Sequence, residues 1–175
     1  MCKMVCVSGN VGSGKSTCAR KIVQKVGGLV FDIDVVKREL VDPRLVTKQV
    51  DPPEIRWQCY LESFRRILLL FEGGASTVVV DEVFHLQDLR TRLEDCCITA
   101  GVEVFWVHMQ CSYAQVERRL QARAREGHIL STAEALKMYL LFEGIFEPFP
   151  ADKPNHIVYN NDGDGDIDAL VLALG

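Results

Sequence analysis

Residues Gly9-Asn10-Val11-Gly12-Ser13-Gly14-Lys15-Ser16 complete the spacing G-x-x-x-x-G-K-[ST], a phosphate-binding loop. Such a loop works only between the end of a buried strand and the start of a helix. The chain supplies both: an apolar run, Met4 to Val7, precedes it, and helical spacing from Thr17 to Val26 follows. The glycines let consecutive backbone N–H groups turn inward toward phosphate oxygens, and the helix N-terminus adds partial positive charge. Lys15 would then reach the β- and γ-phosphates, and the Ser16 hydroxyl would hold Mg²⁺.

Past the loop, apolar runs alternate with amphipathic segments. Leu29 to Asp34 reads as a second strand and Val35 to Val41 as a short helix stopped by Asp42-Pro43. Glu54 to Phe71 reads as a long helix with Trp57, Tyr60, Leu61, Phe64, Leu68 and Phe71 at helical spacing. Strands at Thr77–Glu82, Val102–His108 and Asn155–Asn160 are separated by helices at Leu86–Ala100, Tyr113–Arg125 and from Ser131 to about Glu143. Ser131 and Glu134 have the spacing of a capping box, and Ile167 to Leu174 closes the chain. Continuous apolar strands alternating with helices predict an α/β fold. Specifically, they predict a doubly wound, mainly five-stranded parallel sheet flanked by helices, one domain over residues 1–175.

Chemistry gathers where open α/β sheets place it, at the C-terminal ends of strands. Asp81 follows an apolar strand and suits a metal-side acid beside Ser16. Glu82 next to it would orient a water or polarise an acceptor. Asp32 and Asp34 share a strand face if that strand runs to Asp34. If the turn begins at Ile33, Asp34 swings over the phosphate end instead. There it would orient a hydroxyl and take its proton; capping the following helix is the competing role. Arg119 and Arg123 lie four apart in a basic helix, the spacing for one face gripping phosphate oxygens rather than water. That helix runs into Glu126-Gly127-His128, where a short helical lid, about residues 119–131, is expected.

Two features read as structure. Asn160 to Asp168 mimics a calcium loop, but Val171 stands where the bidentate glutamate belongs and a strand enters it, so an aspartate-capped turn fits better. The Trp57, Tyr60, Phe64 stripe is core by spacing, although a helical segment inserted at about 35–72 is a natural acceptor wall that brings in Trp57. Seven cysteines without C-x-x-C, no leader before the first strand and no 18-residue apolar run predict a reduced, cytoplasmic protein away from membranes. A net charge of −4 argues against an extended nucleic-acid surface.

On Gly9 to Thr17, Asp34-Val-Val-Lys37-Arg38-Glu39-Leu40, Val78 to Glu82 and Arg119-x-x-x-Arg123, the chain resembles P-loop kinases of the nucleoside-monophosphate-kinase-like group. It is most similar to the ATP-binding kinase family of polynucleotide kinases and chloramphenicol phosphotransferase; Phe146-Glu147-Pro148 matches the segment after the lid. The resemblance implies ATP and Mg²⁺ with Thr17 in the cradle. It also implies Asp34 activating an acceptor hydroxyl, Arg119 near the adenine and Arg123 on the transferring phosphoryl. Lys37, followed by Arg38, stands where that family has a phosphate-gripping arginine, and lysine offers a point charge instead of a fork. With Asp32 and Trp57, these two residues are the candidate acceptor contacts. Phe31 to Asp34, Gln115 to Leu120 and Val158 to Gly163 also resemble dephospho-coenzyme A kinases.

The expected activity is transfer of the γ-phosphoryl group of ATP to a hydroxyl of a small molecule or nucleotide. A dephospho-coenzyme A kinase-like enzyme and a nucleic-acid 5′-hydroxyl kinase are the alternatives. From another class stands an ATP-binding regulatory module without an acceptor. No N-K-x-D guanine reader is present.

Overall fold

The computed structural model describes residues 2–41, 53–122, 131–163 and 165–175. Five parallel strands form one sheet: β1 (Cys2–Gly9), β2 (Leu29–Asp32), β3 (Thr77–Asp81), β4 (Val102–Gln110) and β5 (His156–Asn160), in the order β2-β3-β1-β4-β5. From central β1 the chain crosses to the edge strand β2, returns inward to β3, and then adds β4 and β5 on the other side, with helices on both faces. Alternation along β1 divides the core. Met4 and Cys6 face one side with Val78, Val80 and Trp106, whereas Val5 and Val7 face the other with Val79, Phe105 and Val107. The fold class is therefore as the sequence predicts.

Under the first face lie α3 (Pro53–Glu72) and α4 (Gln87–Thr99), burying Tyr60, Phe64, Ile67, Phe71, Leu89, Leu93 and Cys97. The α3 stripe is turned slightly from its expected line: Ile67 joins it, and Leu61 faces solvent. The second face is covered by α1 (Lys15–Val26) and α7 (Ile167–Ala173), through Cys18, Ala19, Ile22 and Leu170. A smaller cluster joins α5 (Tyr113–Ala122) to α6 (Thr132–Ile145) through Val116, Leu120, Ala135 and Tyr139, with Val11 of the loop against it. Both halves of the Ser131–Glu134 capping box form.

Strand β2 stops at Asp32, two residues earlier than the longer reading, because α2 (Ile33–Leu40) begins there. The Asp32 carboxylate caps it, accepting from the Asp34 N–H at 2.9 Å. Asp32 and not Asp34 is thus the cap, and the two do not alternate along one strand. The 160–168 segment is a strand-to-helix turn: Asp162 accepts from Ser112 N–H at 2.6 Å, and Asp166 caps α7 through the Asp168 and Ala169 N–H groups. Among the described residues no three potential ligands gather around a metal-sized space, and no helix is long and apolar enough to cross a membrane.

After α6 the chain returns across the first face as Phe146 to Phe149. His108 stacks on Phe146 with centroids 5.1 Å apart, and Phe149 on His156 at 4.2 Å. Burial, then the neighbouring His156, holds His108 down at about 4, below its ordinary 6.5. Between these values the unfolded chain takes up a proton that the folded one refuses, so this site costs stability progressively as pH falls from 6.5 to 4. Glu82 slopes the other way, its carboxyl being pushed up to about 7, so the informative quantity is a difference. His108→Phe should gain in melting temperature over wild type as the pH is lowered from 7.5 to 4.5. A constant offset in thermal unfolding across that range would contradict the assignment.

Candidate active site

The loop leaves β1 at Gly9 and delivers α1 at Lys15. Gly14 sits at φ 99° with Asn161 Nδ2 where a side chain would project, so glycine is required there twice over. Gly12, at φ 77°, lets α5 close in: a Cβ would lie 2.6 Å from Val116 Cγ1. Two neighbours brace the loop from outside. Asn161 Nδ2 donates to Ser13 O at 2.7 Å; Arg119 reaches the same carbonyl at 3.4 Å and Asn161 O at 2.6 Å. Arg119 Nη1 also lies 3.3 Å from Cys111 Sγ. Arg119 therefore stands between the loop and the β5–α7 turn. Arg123 and most of the 119–131 lid segment lie outside the described residues.

Ser13 Oγ is buried without a hydrogen-bond partner, on the side of Gly9 and Met109 at the strand ends. An orphaned buried donor beside the loop is what an added acceptor would satisfy. Lys15 Nζ rests on Asn10 O at 3.1 Å. Ser16 is exposed in the first turn of α1, and Asp81 ends β3 opposite Val7, next to the loop. One hydroxyl and one carboxylate suit Mg²⁺, which keeps most of its waters and takes the rest of its shell from phosphates.

The ends of β2 and β3 bring acids to the same place. Asp32 is opposite Asp81 in register. Burial raises the Asp32 carboxyl, with Asp34 and Asp81 adding to that and Arg38 opposing it. Glu82 is pushed up by burial first, then by Asp34 and Asp81, against the pull of Lys15. The charges of Asp34, Asp81 and Lys15 all act on Glu82, while Asp34 itself is exposed at the start of α2. Lys37 and Arg38 follow on α2, half-buried and exposed respectively.

Opposite these acids stands α3. Tyr60 is buried, its phenol raised by burial and then by Glu82, with Arg56 opposing. Arg56 Nη1 lies 3.4 Å from His85 Nε2, whose ring is buried and packs edge-on against Phe142 at 5.0 Å. Trp57 packs on the core with the Arg92 guanidinium 4.2 Å from its ring centre, which covers that ring from α4. Arg56, Tyr60, His85 and Asn161 are the site neighbours that sequence reasoning does not pick out. Only Asn161 carries a local signal, its place just past the C-terminal end of a parallel strand.

This arrangement is that of a P-loop NTPase of kinase-like topology. The AAA_33 family model, an AAA domain, matches residues 4–142, and the chain belongs to that family. No curated relative matches it. Among solved structures it is similar to a sugar kinase from Janibacter sp. HTCC2649 (TM-score 0.73, 21% identity, 98% of this chain and 91% of that one). It is also similar to a gluconokinase from Sinorhizobium meliloti 1021 (TM-score 0.68, 18% identity, 98% and 89% covered). A third is the Mycobacterium tuberculosis APS kinase in complex with AMPPNP and APS (TM-score 0.62, 23% identity, 98% and 94% covered). At these identities the likeness is one of fold, and it agrees with the resemblance to P-loop kinases.

Proposed function

We propose that the protein is an ATP-dependent kinase that phosphorylates a hydroxyl of a small molecule. The observation that carries this reading is the gathering of Asp32, Asp34 and Asp81 at the ends of β2 and β3, in the same sheet whose β1 delivers the phosphate loop. A nucleotide-binding module without an acceptor needs the loop and a metal-side acid. It has no use for an exposed carboxylate at the β2 end, on a helix that packs against α3 with its Arg56 and Tyr60. The sugar kinase, gluconokinase and APS kinase likenesses support a small hydroxylated acceptor over an oligonucleotide end.

In this reading the loop N–H groups and Lys15 hold the β- and γ-phosphates of ATP. Ser16 and Asp81 would hold Mg²⁺, which supplies charge neutralisation on the phosphates. Asp34 orients the acceptor hydroxyl and takes its proton. The acceptor oxygen then bonds to the γ-phosphorus as the bond to the β–γ bridging oxygen breaks, and that electron pair leaves on ADP. Arg119 and Asn161 brace the loop on the nucleoside side; Arg123 belongs to the lid segment.

Asp34→Asn keeps the size and much of the hydrogen bonding of Asp34 but cannot accept the proton. Turnover on a responding acceptor should fall by about 10²–10⁴ with the dissociation constant for ATP within about threefold of wild type. The measurement is ATP consumption over a panel of sugars, sugar acids, nucleosides, nucleotides and coenzyme precursors, with binding by calorimetry. Equal losses in binding and turnover would remove Asp34 from the role of base.

A further inference from the structure

The Asn10 side chain does more than a loop residue needs. Its Oδ1 accepts from the Val11 N–H at 2.7 Å, a local bond that shapes the loop. Both amide hydrogens point elsewhere: Nδ2 donates to Tyr139 O at 2.9 Å and to Glu143 Oε1 at 3.1 Å, adjacent turns of α6. A buried carboxamide with its oxygen and both donors engaged is fixed in one rotamer. It spans 129 residues of sequence to do so.

An adjacent face of the same turns of α6 meets the acceptor wall. Phe142 packs edge-on against His85, and His85 contacts Arg56. The Asn10 carbonyl also holds Lys15 Nζ at 3.1 Å, so the residue that ties the loop to α6 also touches the lysine that would meet phosphate. An ammonium has three donors, so phosphate bound by Lys15 bears on that carbonyl through the same group.

We propose that Asn10 is a positioning residue whose amide ties the phosphate loop to α6, so that nucleotide in the loop fixes the helix that packs against the acceptor wall. This rests on the kinase reading, since it takes ATP as the ligand of the loop. Coupling of this kind requires that the ligand act differently on two arrangements of one element. Here the element is α6, and the differential contact is phosphate on Lys15, whose ammonium also holds Asn10 O.

The test is amide hydrogen exchange by mass spectrometry on wild type, Asn10→Ala, Glu143→Leu and Glu143→Gln, each with and without saturating Mg²⁺ and AMPPNP. Calorimetry measures nucleotide binding in parallel. In wild type, nucleotide should slow exchange over residues 136–145 about threefold or more. Asn10→Ala, measured at a nucleotide concentration that saturates the variant, should lose that protection. Glu143→Leu, which leaves the loop sequence intact, should lose about half of it, and Glu143→Gln, which still accepts from Asn10, should keep it. Full protection in Asn10→Ala overturns the proposal. If that variant does not fold or bind, full protection in Glu143→Leu overturns it equally. Wild type that binds nucleotide with no change in α6 sinks this proposal alone, whereas wild type that binds no nucleotide sinks the kinase reading and this with it.

Discussion

Lys15→Ala is expected to remove phosphoryl transfer while leaving the fold in place. The ammonium group makes one bond, to Asn10 O at 3.1 Å, and among the described residues it forms no ion pair. Truncation therefore costs the folded chain on the order of 1 kcal/mol at most. The loss in function has another scale. Charge develops on the γ-phosphoryl oxygens and on the leaving β-phosphate, and a cation fixed there needs no reorganisation. Removing one such stabilising group costs about 3–4 kcal/mol, or roughly 10²–10³ in turnover. A further consequence is local. Lys15 is the cation that opposes the rise of the Glu82 carboxyl, so that carboxyl should be driven higher still in the variant. Steady-state turnover on a responding acceptor, with circular dichroism to check the fold, measures the effect. Turnover within about fivefold of wild type would mean that the loop is not the donor site.

Sequence reasoning reaches the loop, the strands and Asp81 because each announces itself locally. The loop is a spacing, the strands are apolar runs, and Asp81 follows one of them. The end of β2 was legible only as a choice. Whether the strand continues past Asp32 depends on which aspartate caps the next helix, and both have the right chemistry. The structure decides it through the Asp32 Oδ1 to Asp34 N–H bond. That leaves the Asp34 side chain free of capping and exposed.

Arg56, His85 and Arg90 were not legible, for one physical reason: their roles come from partners far along the chain. Arg56 precedes Trp57 in a helix whose apolar stripe draws attention to the aromatic. Only the packing of β3 against α3 shows that Trp57 goes under Arg92 while Arg56 turns to His85. His85 looks like an isolated histidine until Phe142 closes on it. In α4, Arg90 is spaced like any solvated helix charge.

That arginine carries the largest expected effect on stability. Arg90 is wholly buried, and its guanidinium donates to Phe84 O at 2.7 Å, Gln87 Oε1 at 2.7 Å, Glu147 O at 2.8 Å and Pro148 O at 3.2 Å. Its flat face lies 4.3 Å from the Phe149 ring centre. The group therefore fastens the return segment 146–149 to the β3–α4 loop. It also holds the carbonyl of Phe84, a buried residue at φ 51°, where a non-glycine backbone is strained and needs support. Arg90→Leu fills part of the volume but leaves three carbonyls without their donor. With charge-assisted bonds to buried acceptors lost, the cost should be about 3 kcal/mol or more. For a chain of this size that lowers the melting temperature by roughly 6–12 °C. Arg90→Lys should recover only part, because one ammonium cannot serve carbonyls on both sides of a planar fork. Thermal unfolding of the two variants beside wild type decides it. A melting temperature within about 2 °C of wild type for Arg90→Leu would show that the 146–149 segment is held by its aromatic stacking on His108 and His156 instead.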